Sequence, residues 1–186
     1  MTADTSLYQQ PWPEGEYRFF QLGFVVDDLL GTAERWTRVH GVGPFHVTPP
    51  IEAACTYRGT ESAVHVQTAF AQAGPVQIEL IEQLCDRPSA YRDLFAKGES
   101  GFHQLCTLTP DYHAKRAHFD RLGYEVASEF DSVWGWVGYF DTFADFGFIT
   151  EVVEDSPAIR AQMKKIADAC ATWDGTDPIR RITRDV

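Results

Sequence analysis

Gln21-Leu22-Gly23-Phe24-Val25-Val26-Asp27-Asp28 and Gln104-Leu105-Cys106-Thr107-Leu108-Thr109-Pro110-Asp111 repeat one pattern: a glutamine opens an apolar strand that ends at aspartate. A helix-like stretch closing on a glycine turn follows each, Leu30 to Gly41 and Tyr112 to Gly123. Aspartate before a helix supplies an N-cap, and glycine after it tolerates the left-handed turn. Each half also ends on an apolar strand with one glutamate, Glu79 in Val76-Gln77-Ile78-Glu79-Leu80-Ile81 and Glu151 in Phe148-Ile149-Thr150-Glu151-Val152-Val153. Two halves that each offer a glutamine from the first strand and a glutamate from the last suggest one shared site.

Between these landmarks, Phe45-His46-Val47, Ala53 to Arg58 and Ala63 to Ala71 read as strands, with turns at Gly59 and Gly74. The second half reads as a strand from Phe102, a helix from Tyr112, and strands Tyr124 to Phe130, Trp134 to Asp141 and Phe148 to Val153. The repeating unit is strand-helix-strand-strand-strand. The expected organisation is an N-terminal arm over 1–17 that packs through Tyr8 and Trp12, a first module over 18–84, and a linker with a short helix over 85–100. A second module covers 101–154, and a C-terminal helix and tail cover 155–186. Ser156-Pro157 opens that helix, and Ile159, Met163, Ile166, Ala167 and Cys170 share one of its faces.

With 186 residues, of which 44% are hydrophobic, the chain is long enough to bury a full core. A formal net charge of −11 argues against nucleic-acid and anionic-membrane partners, which need clustered lysine and arginine. Arg180, Arg181 and Arg184 form the only basic cluster and read as a solvated tail. There is no apolar run of membrane-spanning length, and Met1 to Glu16 lacks the pattern of a secretory leader. Cys55, Cys85, Cys106 and Cys170 are too dispersed for a zinc knuckle and fit reduced thiols in a cytoplasmic protein.

Side chains on a strand alternate faces, so Gln21 shares a face with Gly23 and Val25, and Gln104 with Cys106 and Leu108. Glu79 is in phase with Gln77 and Ile81, and Glu151 with Ile149 and Val153. If each half curls into a half-barrel, the four polar residues converge on its concave side. Two buried carboxylates require a cation, a proton or hydrogen-bond donors, because desolvating an unpaired charge costs several kcal/mol. A divalent metal would satisfy all four residues, as would a closed internal hydrogen-bond cluster without chemistry.

Taken in order, Phe20 to Asp28, Val76 to Ile81, Gly101-Phe102-His103-Gln104-Leu105, and Gly138 to Thr142 running into Gly147 to Glu151 resemble the vicinal oxygen chelate superfamily. The similar branch includes glyoxalase I and methylmalonyl-CoA epimerase, and the resemblance spans roughly residues 18–154. It implies an α+β fold in which two βαβββ modules form an open barrel-like mixed sheet, plus the C-terminal helix. It also implies a homodimer, and a metal held by Gln21, Glu79, Gln104 and Glu151. Gln104 occupies the place where the family usually has histidine. Such an oxygen-only set suits hard ions such as Mg, Mn or Ca. His103, next to it, should face the other way unless a bulge turns it inward.

The function so implied is a lyase or isomerase that moves a proton beside a carbonyl of a small, apolar or aromatic substrate. Glu151 is the first candidate for the base and Glu79 the second. Without a metal, a glutamate with a raised pKa is the base, and Gln21 and Gln104 are amide donors to the developing oxyanion. His65, Trp136, Tyr139 and Phe148 are further candidates for substrate contact. The alternative is a non-catalytic protein of the same fold that sequesters a small molecule. A ring-cleaving dioxygenase fits poorly, since its iron wants two histidines and a carboxylate.

Overall fold

The computed structural model describes residues 19–132 and 134–182. The expected arm with Tyr8 and Trp12, and Arg184 of the basic cluster, lie outside the described residues. Strand β1 (Phe19–Val25) leads into α1 (Leu29–His40), which Asp28 caps by accepting from Gly31 N at 2.9 Å. The second half repeats this with β6 (Gly101–Thr109) and α3 (Tyr112–Leu122), where Asp111 accepts from Ala114 N at 2.9 Å. Gly41 and Gly123 end the two helices at φ 65° and 84°, backbone that a side chain would strain.

In the first half the remaining strands are β2 (Phe45–Val47), β3 (Ile51–Tyr57), β4 (Thr60–Ala73) and β5 (Val76–Gln83). The second half adds β7 (Val126–Ser132), β8 (Gly135–Phe140) and β9 (Ile149–Glu154). The expected barrel-like mixed sheet of two modules is present, and it closes. Strand order runs β4-β3-β7-β8-β9-β6-β1-β5, and β5 pairs back onto β4. The modules meet at two antiparallel seams, β1 with β6 and β3 with β7, while β1 with β5 and β6 with β9 are parallel. A closed sheet has no unpaired edge inside it, which removes the main route to strand-on-strand association.

The barrel interior collects Val25, Val64, Val66, Ile81, Ala127, Tyr139 and Ile149 from six different strands. The short linker helix α2 (Ala90–Leu94) pushes Ala90 and Tyr91 into this core. Near Phe20, Cys106 and Val153, the long C-terminal helix α5 (Pro157–Ala171) packs Ile159 and Met163. Outside the barrel, α1 covers Ile78, Leu80, Ala69 and Ala71, while α3 packs Tyr112 on Phe140 and Val152. Each fully buried Leu, Ile or Phe in these layers contributes about 1.5–3 kcal/mol.

Two elements were not foreseen. A single turn, α4 (Phe143–Phe146), interrupts the last hairpin. Arg180 and Arg181, expected in a solvated tail, belong to β10 (Ile179–Arg181), which pairs in parallel with β2. Among the described residues no helix is long and apolar enough to cross a membrane.

Candidate active site

Two rows of inward side chains cross the barrel wall. In the first, Gln77, Gln21, Cys106, Glu151 and Tyr139 stand side by side on β5, β1, β6, β9 and β8. In the second, Glu79, Gly23, Gln104 and Ile149 are neighbours on β5, β1, β6 and β9. Gly23 is what joins the rows. It leaves room for the Gln104 side chain to lie across β1, since a Cβ at Gly23 would fall 2.7 Å from Gln104 Cγ and closer still to its amide. From there Gln104 Nε2 donates to Glu79 Oε2 at 3.2 Å and to Glu151 Oε2 at 3.3 Å.

The cluster is sealed. Gln104 is 0% exposed, Glu151 4% and Glu79 7%. Burial raises the pKa of Glu79 well above the ordinary carboxylate value; the negative Glu151 adds to this, and the Gln104 N–H offsets part of it. Burial raises Glu151 as well, but Cys106, Tyr139 and Gln104 all hydrogen-bond to its carboxylate and oppose the rise. One donor against three favours ionisation of Glu151 ahead of Glu79. Burial, and then the charge of Glu151, hold the Cys106 thiol and the Tyr139 phenol in their protonated forms.

His103 joins the cluster by a route that strand alternation does not predict. The register of β6 on β1 slips between Gly23 and Phe24, so Phe24 faces Phe102, Gly23 faces Gln104, and His103 is the extra residue of a bulge. His103 and Gln104 are both fully buried. The ring places Nδ1 against Gln104 Oε1 and Nε2 3.0 Å from the Ala90 carbonyl on α2, and a neutral ring donates its single N–H to one of these two acceptors. A second chain also starts on α2: Tyr91 Oη donates to Tyr139 Oη at 3.1 Å, beside Glu151. Of these residues, Gly23, Gln77 and Cys106 share the inward phase of the expected ones, which is a signal readable in sequence. Tyr91 carries no such signal.

Among the expected residues, Glu79, Gln104, Glu151 and Tyr139 come together, and Gln21 stands in the first row bonded to Gln77 at 2.8 Å. His65, Trp136 and Phe148 do not reach the cluster. His65 alternates with Val64 and Val66, whose side chains fill the barrel, so it projects outward. Trp136 stacks on Tyr112 beneath α3, with centroids 5.6 Å apart. Phe148 belongs to an outer aromatic ladder that touches Phe102 and Phe146. A surface cleft of about 510 Å³ lined by Thr56, Arg58, Arg116, Asp120, Glu125 and Glu129 includes none of the cluster residues.

As arranged, the four expected metal ligands do not fit a divalent ion. Gln104 turns its N–H group, not its oxygen, toward the two carboxylates, and the Gln21 N–H is given to Gln77. Cations bind oxygen lone pairs, so Gln104 offers none here, and the two carboxylates with the Gln21 oxygen are what remains of the four. Among the described residues, no group of three or more His, Cys, Asp or Glu side chains is arranged to hold a metal.

Paired βαβββ modules with polar residues contributed from both define a class of barrel in which the site lies between the repeats. Residues 20–135, more than half of the chain, match the Glyoxalase/Bleomycin resistance protein/Dioxygenase superfamily, and the protein belongs to that family. This is the vicinal oxygen chelate superfamily expected from the four segments. Among solved structures, methylmalonyl-CoA epimerase from Mycobacterium tuberculosis is similar with a TM-score of 0.55 at 16% identity, over 83% of this chain and 99% of that one. A Streptomyces coelicolor methylmalonyl-CoA epimerase variant in complex with 2-nitronate-propionyl-CoA gives 0.54 at 20% identity, over 77% and 98%. A hypothetical protein from Bacillus halodurans gives 0.52 at 14% identity, over 75% and 94%. At these identities the likeness is one of fold. Among curated proteins, none matches the chain by sequence.

Proposed function

We propose that the protein is a lyase or isomerase that moves a proton beside a carbonyl group, with Glu151 as base and Glu79 as acid. One observation carries this reading: Glu79 and Glu151, both buried, are bridged by Gln104 but unequally supplied with donors. Two carboxyl groups whose surroundings push their ionisation apart are the usual basis for dividing acid and base work. The Glu151 carboxylate takes the proton from the carbon next to the substrate carbonyl. The electrons of that C–H bond form the enolate double bond, and charge develops on the carbonyl oxygen. The Glu79 O–H is the donor for that oxygen, joined by a Gln104 N–H once it leaves one of the carboxylates. Return of a proton to the same carbon gives isomerisation or exchange, and loss of a neighbouring leaving group gives elimination.

The interior offers a largely apolar setting around the two acids, which favours small apolar or aromatic substrates. Access requires one of the packed barrel ends to open, because the carboxylates are sealed in this structure. Epimerases of similar fold lend the reading an analogy, which names no substrate for this chain. The test is incorporation of solvent deuterium into ketones with acidic α-hydrogens. Exchange by the wild type that is lost in Glu151→Gln supports the proposal. Tight binding of such compounds with no exchange favours a sequestering protein instead.

A further inference from the structure

Gln77 stands in the same inward row as Glu151, and half of its amide meets no partner among the described residues. Its Oε1 accepts from Gln21 Nε2 at 2.8 Å. Its Nε2 has no hydrogen-bond partner among the described residues, although the residue is only 3% exposed. Native interiors leave few buried donors unmade, because each costs stability. A donor kept in that condition, on the face of the wall that carries the two carboxylates, points to an acceptor that arrives with a ligand.

The surroundings determine what kind of acceptor. The two rows contain glutamine, glutamate, cysteine, tyrosine, glycine and isoleucine, with no lysine or arginine. An anionic ligand would enter a buried space that already holds two carboxyl groups and find no counter-ion in these rows, so its desolvation would go uncompensated. A neutral carbonyl oxygen needs only the N–H. Gln77 and Glu151 lie three strands apart, on the order of 14 Å along the wall at ~4.8 Å per strand and less across the curved interior. The acceptor oxygen is therefore a second group of the substrate, remote from the carbon at Glu151.

We propose that Gln77 is a substrate-recognition residue whose free Nε2–H binds a neutral carbonyl oxygen, such as that of an ester, thioester or second ketone, and that the site excludes carboxylate anions. This rests on the proton-transfer reading for where the reacting carbon sits. The test pairs ethyl 5-oxo-6-phenylhexanoate with 5-oxo-6-phenylhexanoate, which share the ring and the α-acidic ketone and carry an ester or a carboxylate several bonds away from the reacting carbon. Direct binding and deuterium exchange are both measured, on the wild type, Gln77→Met and Gln21→Met.

The two variants lose the same internal hydrogen bond, but only Gln77→Met loses the free donor. The ester is expected to bind at least tenfold better than the acid. Gln77→Met should weaken ester binding about five- to tenfold more than Gln21→Met does, the size of one hydrogen bond. Thermal stability should run the other way, because Gln21→Met leaves both halves of the Gln77 amide unpaired. Equal binding of ester and acid, no binding of either, or equal losses in the two variants overturns the proposal. Ester binding that depends on Gln77 without any exchange leaves this inference standing and removes the proton-transfer reading.

Discussion

Gly23 lacks a side chain where Gln104 needs the space: a Cβ on Gly23 would fall 2.7 Å from Gln104 Cγ. The contact ties the two repeats together, since Gly23 lies on β1 and Gln104 on β6. Through it, one amide reaches a glutamate from each half.

Gly23→Ala is expected to destabilise the protein by about 1–3 kcal/mol, the usual result of overpacking a filled interior. It should also move Gln104 off the carboxylates and lower the exchange rate. In urea titrations, the double variant Gly23→Ala with Gln104→Ala should regain part of the loss, because the clash is gone. Strictly additive losses would show that the two side chains do not compete for the same space.

Glu151→Gln keeps the shape of the base and removes its function. Exchange should fall by about 100-fold or more, in the range measured for loss of a general base. Glu79→Gln, which keeps a neutral donor at that position, should cost distinctly less. If the two losses are reversed, the acid and base roles are interchanged.

The pH dependence follows from the signs. Both glutamates titrate above the ordinary carboxylate value in the folded protein, with Glu79 held up by burial and then by Glu151. The unfolded chain therefore gives up these protons first, and stability declines as pH rises from about 4.5 toward the folded pKa of Glu79. Glu79→Gln should flatten that slope in thermal melts recorded across the range. For exchange, activity rises as Glu151 loses its proton and falls as Glu79 loses its own. A rate that keeps rising where Glu79 ionises would deny Glu79 the acid role.

Tyr139→Phe removes one of the three donors that hold down the Glu151 pKa, the first and larger being Cys106. The acid limb of the exchange profile should move to higher pH while the basic limb stays in place. A uniform drop in rate with no movement of the limb would mean that Tyr139 only fills space.

Because Gln104 presents N–H to the carboxylates, treatment with a chelator should leave exchange unchanged, and added Mn, Ni or Zn should not raise it. Metal-dependent exchange, with one ion bound per chain, would show that the amide turns its oxygen inward on binding.

The repeated Asp-helix-Gly units, the order of elements along the chain and the strand phase of Gln21, Glu79, Gln104 and Glu151 were legible from residue type and spacing alone. Capping chemistry and side-chain alternation are local, so a sequence carries them directly. What a strand's own period cannot say is which face becomes the interior or where a pairing slips. His65 and Trp136 alternate as cleanly as Glu79 and yet face outward, because closure of the barrel put Val64, Val66 and Tyr139 inside. The bulge that brings His103 beside Gln104 exists only in the pairing of β6 with β1. The same is true of the amide that hydrogen-bonds both glutamates and of the Gln77 N–H that has no partner among the described residues. Sequence alone determined the repeat, its helix caps and the four polar residues that share a strand face, and its likeness to a family implied the barrel. Only the tertiary structure decided which donors meet which acceptors, because that depends on distances between segments far apart in the chain.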